Sequence, residues 1–274
     1  MNMLPRRIAR QRAPRPRAAL PPRRSLHLHR VYLPSQWPTY TPYALACAVQ
    51  DTLAAPHFAH KASPLARPPA PSVLSFTPAP TYTLGRRQKE LGRELEDVLT
   101  APLRIVREPQ PVGEEETASF RPEVTHSSRG GLTTYHGPGQ LVLWPVLDLR
   151  SPLHRPLTVR SYARLLEDTT VAFLRDAFGI EGARDEENPG VWVGARKIAA
   201  MGIHLRRHVA TLGVAVNLSV PVAGGEEVNP WARFVPCGIV GRGVTSVWEV
   251  GGGVVDGEVV ARGWVNEFQR RLVG

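Results

Sequence analysis

The chain has little lysine, little cysteine and, at its start, no acid. Only three lysines (Lys61, Lys89, Lys197) stand beside 31 arginines among 274 residues. Two cysteines, Cys47 and Cys237, are too few for a disulfide framework. No apolar stretch reaches the length of a membrane span, and no hydrophobic signal-peptide core lies near the start. The nine histidines show no CxxC or HExxH company, so no metal set is expected. No Gly-Lys-Ser/Thr follows any glycine turn and no dinucleotide fingerprint is spaced correctly, which removes the common nucleotide and cofactor loops. Internal repeats and heptads are absent as well.

What is present begins with charge. The formal net charge is +10, a value that by itself suggests nucleic acid. Its location argues otherwise. Nine of the 34 basic residues lie in residues 1–30, and the first acid is Asp51, which leaves 25 basic against 24 acidic groups in the rest. The body of the chain is therefore close to neutral, and no nucleic-acid or membrane partner is expected. An arginine-, alanine- and proline-rich start without acid fits a mitochondrial transit peptide; a nuclear-localisation or nucleic-acid arm, or plain disorder, fits the same composition. We expect a leader over 1–25 and one domain over 26–274, in the mitochondrial matrix.

Apolar spacing at i, i+4, i+8 (Leu45, Val49, Leu53) predicts a helix over 43–54, and the proline-rich stretch 56–72 predicts a loop. Residues 73–83 read as one strand, 107–123 as a mobile surface loop and 141–149 as a buried strand. A helix is expected over 161–178 with Gly179 as its stop. A meander follows: 191–193, a turn at Gly194-Ala195, a strand over 197–205, a turn at 206–208 and a strand over 211–218. A last helix is expected over 258–272, presenting Val260, Trp264, Phe268 and Leu272. That order predicts a single α/β domain on a mostly antiparallel or mixed sheet.

The most informative stretch is 129–149. Glycine turns at Gly130-Gly131 and Gly137-Pro138-Gly139 bracket Leu132, Thr133, Thr134, Tyr135 and His136. Glycines permit positive φ and close approach of a ligand, although a tight hairpin without a ligand uses the same residues. This segment resembles the RGGxxTYHGPGQ signature of the octanoyltransferases, the lipoyl(octanoyl) transferase family. Three further stretches resemble that family in order: residues 80–86 (PTYTLGR), 191–218 with GARKIAAMG and GVAVN, and 234–247 with FVPCGI and VTSV. Leu212 departs from the pattern, which usually has histidine before Gly213, and puts a secondary pocket contact in doubt. The loops 60–72, 107–128 and 221–229 look longer than usual.

The resemblance implies the fold of biotin/lipoate protein ligase catalytic domains. It also implies transfer of octanoyl from octanoyl-acyl carrier protein, through a cysteine thioester, to a lysine of lipoyl domains and the glycine-cleavage H protein. No cofactor is implied, because the acyl group arrives activated. The alternatives are an ATP-dependent lipoate–protein ligase, which uses no cysteine nucleophile, and a non-catalytic basic RNA-binding protein.

By residue type alone, Cys237 between Pro236 and Gly238 fits a small buried side chain as well as a nucleophile, and Lys197 fits a solvated turn lysine. By resemblance, Cys237 carries the acyl group and Lys197 stabilises its thiolate and moves the proton of the incoming amine. Arg129, Gly130, Gly131, Leu132, Thr133, Thr134, Tyr135 and His136 are implied to line the substrate site. Ala200, Met201, Gly202, Gly213, Val214 and Ala215 join them, and their small side chains leave room for an eight-carbon chain. Tyr135 and His136 also fit as core residues.

Overall fold

In the computed structural model, residues 26–64, 67–106, 116–235, 241–253 and 256–274 are described. Leu26 and Leu28 are already buried when the chain enters β1 (His29–Leu33). Then follow α1 (Tyr43–Ala62), β2 (Ser72–Phe76), β3 (Thr81–Leu84), α2 (Arg93–Thr100), β4 (Leu103–Val106), β5 (Thr117–Phe120), β6 (Glu123–His126), β7 (Thr133–His136) and β8 (Gln140–Asp148). The second half holds α3 (Val159–Phe178), β9 (Ala183–Arg184), β10 (Gly190–Val193), β11 (Arg196–Arg206) and β12 (Val209–Asn217). A 3-10 turn (Pro230–Arg233), β13 (Gly243–Val244) and α4 (Gly257–Val273) complete the described elements.

The main sheet runs β1-β2-β8-β12-β11-β10-β9, with β13 added to β11. The pairs β1–β2 and β11–β13 are parallel and the others antiparallel, so the mixed α/β architecture agrees with the expectation from sequence. Alternation along β8 sorts its residues. Leu141, Leu143 and Leu147 enter a core with α3 and α4, while Val142 and Trp144 face the core shared with α1. Across the first core, Trp264 Nε1 of α4 donates to Thr170 Oγ1 of α3 at 3.0 Å. The start of α3 is set by a reciprocal Thr158–Ser161 capping box, and Gly179 ends it in the left-handed region.

A second, three-stranded sheet (β6-β3-β7) carries the glycine-flanked motif. Its apolar face closes a third core of Tyr82, Tyr135, Leu99, Leu103, Val220 and Trp231.

Several expectations are corrected. α1 does not stop before Pro56 but runs through it to Ala62. The proline removes one helical hydrogen bond. Contacts beyond it hold the last turns: His57 is buried, Arg206 lies over the Phe58 ring at 5.2 Å, and Lys61 pairs with Asp148 at 2.7 Å. The single strand over 73–83 is two strands in different sheets, parted around Pro78 and Pro80, which cannot donate to a ladder. In the expected loop 107–123, residues 117–120 pair with β4 and Glu123 begins β6. Residues 107–115 lie outside the described residues, as does the leader 1–25. The elements β1, α2 and β4 were not anticipated.

Candidate active site

The turn at 129–132 and strand β7 form one wall of a cavity of about 390 Å³, and β11 with β12 forms its floor. Arg129, Gly130, Gly131, Leu132, Thr133, Thr134 and His136 line it, as do Lys197, Ala200, Met201, Gly202, Gly213, Val214 and Ala215. Tyr135 is the correction. On β7 it points to the opposite face and is buried in the third core, 5.2 Å from the Tyr82 ring, because successive strand residues alternate. The structure thus gives Tyr135 the core role that its residue type also allowed.

Arg129 is buried and reaches inward to strand β3. Its Nη2 donates to Thr83 O at 2.6 Å and to Thr83 Oγ1 at 2.8 Å, its Nε to Oγ1 at 3.2 Å, and its Nη1 to Gly130 O at 3.0 Å. The planar guanidinium suits this fork of acceptors, which ties the Arg-Gly-Gly turn to the small sheet. The following turn is fixed to the same segment by Arg86 N–H to Arg129 O at 3.0 Å and Arg87 N–H to Gly131 O at 3.1 Å. Arg86 and Arg87 thereby stand exposed on the cavity wall.

His136 stacks on Tyr43 of α1, with ring centroids 5.7 Å apart. Burial first, and the Arg129 charge second, hold its imidazole down to about 3, so it is neutral at physiological pH. Its Nδ1 has no protein partner among the described residues.

On the floor Ala200 pairs with Ala215, Met201 with Val214 and Gly202 with Gly213. The two glycines are required by close approach. A Cβ on Gly213 would fall 2.3 Å from Leu143 O, and one on Gly202 would fall 2.9 Å from Arg129 Cδ. Beside them Leu212 also lines the cavity and sits at φ 60°, uncommon for a residue with a Cβ. Its N–H donates to Gln50 Oε1 at 2.7 Å.

Lys197 is not a surface lysine. It is only 7% exposed, and its Nζ donates to Pro189 O at 3.1 Å and lies 4.7 Å from the centroid of the Trp192 ring. The adjoining turn is built on two carboxylates. Glu167 of α3, raised above the usual range by burial, accepts Gly190 N–H at 2.9 Å. Asp185 accepts the N–H groups of Glu187 and Asn188 and pairs with Arg242, and these contacts, Arg242 first, hold it down to about 2.

Cys237 lies outside the described residues. The segment that follows it does not: β13 pairs with β11 so that Val244 faces Lys197, and Thr245 N–H donates to Lys197 O at 3.0 Å. The other cysteine, Cys47, sits half-buried on α1, where burial first and Asp51 second push its thiol up to about 11.

Tyr43, Trp144, Ala163, Glu187, Asn188 and Pro189 also line the cavity but were not singled out from sequence, nor were Arg86, Arg87, Ile203 and Leu212. Arg86 lies in the quoted PTYTLGR segment and Leu212 was noticed as a departure. For the others no local pattern distinguishes a wall residue from a core or loop residue.

The chain is similar to known proteins of one family. Residues 42–269 match the lipoyl protein ligase A/B catalytic domain. A probable octanoyltransferase of Schizosaccharomyces pombe is 33% identical over 211 residues, 76% of this chain and 81% of that one. A mitochondrial octanoyl-[acyl-carrier-protein]:protein N-octanoyltransferase of Xenopus tropicalis is 40% identical over 152 residues, 54% of this chain and 59% of that one. Among solved structures, a putative lipoate protein ligase from T. acidophilum with bound lipoic acid superposes with TM-score 0.55 at 14% identity, covering 89% of this chain and 85% of that one. A lipoate-protein ligase A bound with ATP gives 0.54 at 14% identity, covering 89% and 84%; at such identities the likeness concerns the fold alone. With the catalytic-domain match spanning most of its length and the S. pombe relative covering three quarters of it, the chain belongs to the octanoyltransferase family of lipoyl protein ligase A/B catalytic domains.

Proposed function

We propose that this chain takes octanoyl from octanoyl-acyl carrier protein onto Cys237 as a thioester and passes it to a lysine ε-amine. The acceptors are lipoyl domains and the glycine-cleavage H protein. The observation that carries this reading is Lys197: a buried lysine lining the cavity, whose backbone carbonyl accepts from the N–H of Thr245, eight residues beyond Cys237.

In the first step the Cys237 thiolate attacks the thioester carbonyl and the carrier sulfur leaves as a thiol, taking the proton of the Lys197 ammonium, so that Lys197 is neutral when the acceptor amine arrives. A free thiol has a pKa near 8.5, so a fixed cation beside it raises the reactive fraction. In the second step the acceptor amine attacks the new thioester, Lys197 receives its proton, and the amide forms as Cys237 leaves. Thioester to thioester is nearly isoenergetic and thioester to amide is downhill, so no nucleotide is required. Ala200, Met201, Val214 and Ala215 supply an apolar floor for the acyl chain. At about 0.8 kcal/mol per methylene, its burial contributes about 5 kcal/mol. The neutral His136 can donate its ring N–H to the thioester carbonyl oxygen without the cost of desolvating an imidazolium.

We further infer that residues 1–25 are a mitochondrial leader and that 26–274 act in the matrix. The acid-free start and the mitochondrial relative support this, and among the described residues no helix is long and apolar enough to cross a membrane. A reporter carrying residues 1–30 should enter mitochondria, and its retention in the cytosol or nucleus would refute the leader.

The catalytic reading is tested by intact mass after mixing the protein with octanoyl-acyl carrier protein. A single octanoyl adduct that maps to Cys237, is released by hydroxylamine and moves to a lipoyl domain is expected. An adduct on Cys47, or transfer that survives Cys237→Ser, would overturn it.

A further inference from the structure

We propose that Asp185, Trp192 and Arg242 form a charge-balanced clamp that positions the Lys197 ammonium. This rests on the reading of Lys197 as the proton-transfer residue. None of the three clamp residues lines the cavity, so they act through Lys197 and not on substrate.

The buried Trp192 indole serves two cations. Lys197 Nζ lies 4.7 Å from its ring centroid and Arg242 Cζ lies 3.7 Å from it. Each contact is favourable through the ring quadrupole, yet two positive charges so close to one desolvated ring repel each other. Asp185 eases that conflict, because its carboxylate is paired with Arg242 and offsets the guanidinium charge felt at Lys197. The same carboxylate shapes the turn that holds Lys197, accepting the N–H groups of Glu187 at 3.0 Å and Asn188 at 2.9 Å. From that turn Asn188 O accepts Trp192 Nε1–H at 2.9 Å and Pro189 O accepts from Lys197 Nζ at 3.1 Å. Arg242 therefore reaches Lys197 by two routes, through the indole and through the turn. It also immediately precedes β13, which pairs with β11 at Lys197 itself.

Among the described residues, the charged groups on the surrounding elements include Glu167 from α3, Glu187 from the turn, Arg196 beside Lys197 on β11, and Arg129 on the cavity wall; Cys237, the nucleophile of the proposed reaction, lies outside them. They are unchanged in the variants that follow.

The test is single-turnover transfer from the octanoylated full-length protein to a lipoyl domain, measured across pH. Arg242→Gln leaves Asp185 as an unbalanced negative charge that favours the ammonium, so the midpoint at which transfer becomes competent should rise by about half to one pH unit. Asp185→Asn keeps an acceptor oxygen for the turn but leaves Arg242 unbalanced, so the midpoint should fall by a similar amount. The double variant should return to the wild-type midpoint. Arg242→Lys, which keeps the charge, should stay there and covers the case of a poorly folded Arg242→Gln. A merely structural role would slow transfer in every variant without moving the midpoint. That result, or shifts of the same sign in both single variants, overturns the clamp. Normal transfer by Lys197→Gln would instead overturn the reading of Lys197 beneath it.

Discussion

Replacing Arg129 with lysine keeps the charge and removes only the fork. The arginine directs Nη2 to Thr83 O and Oγ1 at 2.6 and 2.8 Å, Nε to the same Oγ1 at 3.2 Å and Nη1 to Gly130 O at 3.0 Å. A single ammonium on a four-carbon stem cannot span acceptors on two segments, so at least two of these bonds are lost. Hydrogen bonds to charged groups contribute about 1.5–3 kcal/mol each and are not additive, so a loss of about 2–4 kcal/mol is expected. The bonds lost join the Arg-Gly-Gly turn to β3, which places the effect on the cavity wall. Urea unfolding should show the lower midpoint with an unchanged slope. Octanoyl transfer should show a higher KM for the acyl donor, because the wall against the acyl chain loosens. The retained charge should keep His136 neutral, so the pH profile should not move. A variant within 0.5 kcal/mol of wild type and with unaltered KM would show that the charge alone, and not the fork, holds this turn.

Four further outcomes follow from the same geometry. Cys47, held as a thiol well above neutral pH, should alkylate slowly with iodoacetamide, and Cys47→Ser should leave transfer intact, whereas Cys237→Ser should abolish it. Gly213→Ala forces a Cβ against the Leu143 carbonyl and should cost about 1–3 kcal/mol in urea melts; a neutral effect would show that β8 and β12 part freely. His136 is depressed from 6.5 to about 3 in the folded state, so the unfolded chain binds the extra proton between these values. Stability should therefore fall as pH drops through that window, and His136→Phe should flatten the acid limb of a stability–pH curve. Gln50→Leu leaves the buried Leu212 N–H without its acceptor and should cost about 1–3 kcal/mol, measured by thermal melts.

Elements whose information is local were legible in the sequence. α3 has an apolar stripe and a glycine stop, although its Thr158–Ser161 cap starts it two residues before the expected 161. β8 is a continuous apolar run, as a strand buried between two cores requires. α1 was legible only as far as Pro56, because a proline is a local stop signal and the contacts that carry the helix past it come from Arg206 and Asp148, far away in sequence. Among the described residues β4 and β5 form a two-stranded sheet of their own, and neither has alternation long enough to announce a strand. The same division holds in the site. The Arg-Gly-Gly turn could be read from its glycines. Glu167, Asp185 and Arg242 act on Lys197 from elsewhere in the chain, and each alone looks like an ordinary charged surface residue.

The least legible feature explains the shape of the cavity. Pro145 lies within β8, between β2 and β12, where a proline has no N–H to give to a ladder. Its position opposite Leu212 follows from the flanking pairs Ala210 with Leu147 and Val214 with Leu143. At that point β12 leaves the regular ladder. Leu212 turns to φ 60°, and its N–H goes to Gln50 of α1. A left-handed leucine costs about 1–3 kcal/mol, which the buried bond to Gln50 roughly offsets, since an orphaned N–H would cost a similar amount. The interruption coincides with the part of β12 where Leu212 and Gly213 become cavity wall. Proline in one strand, leucine in the next and glutamine on a distant helix thus form one device. Leu212 shapes the cavity through its backbone as well as its side chain.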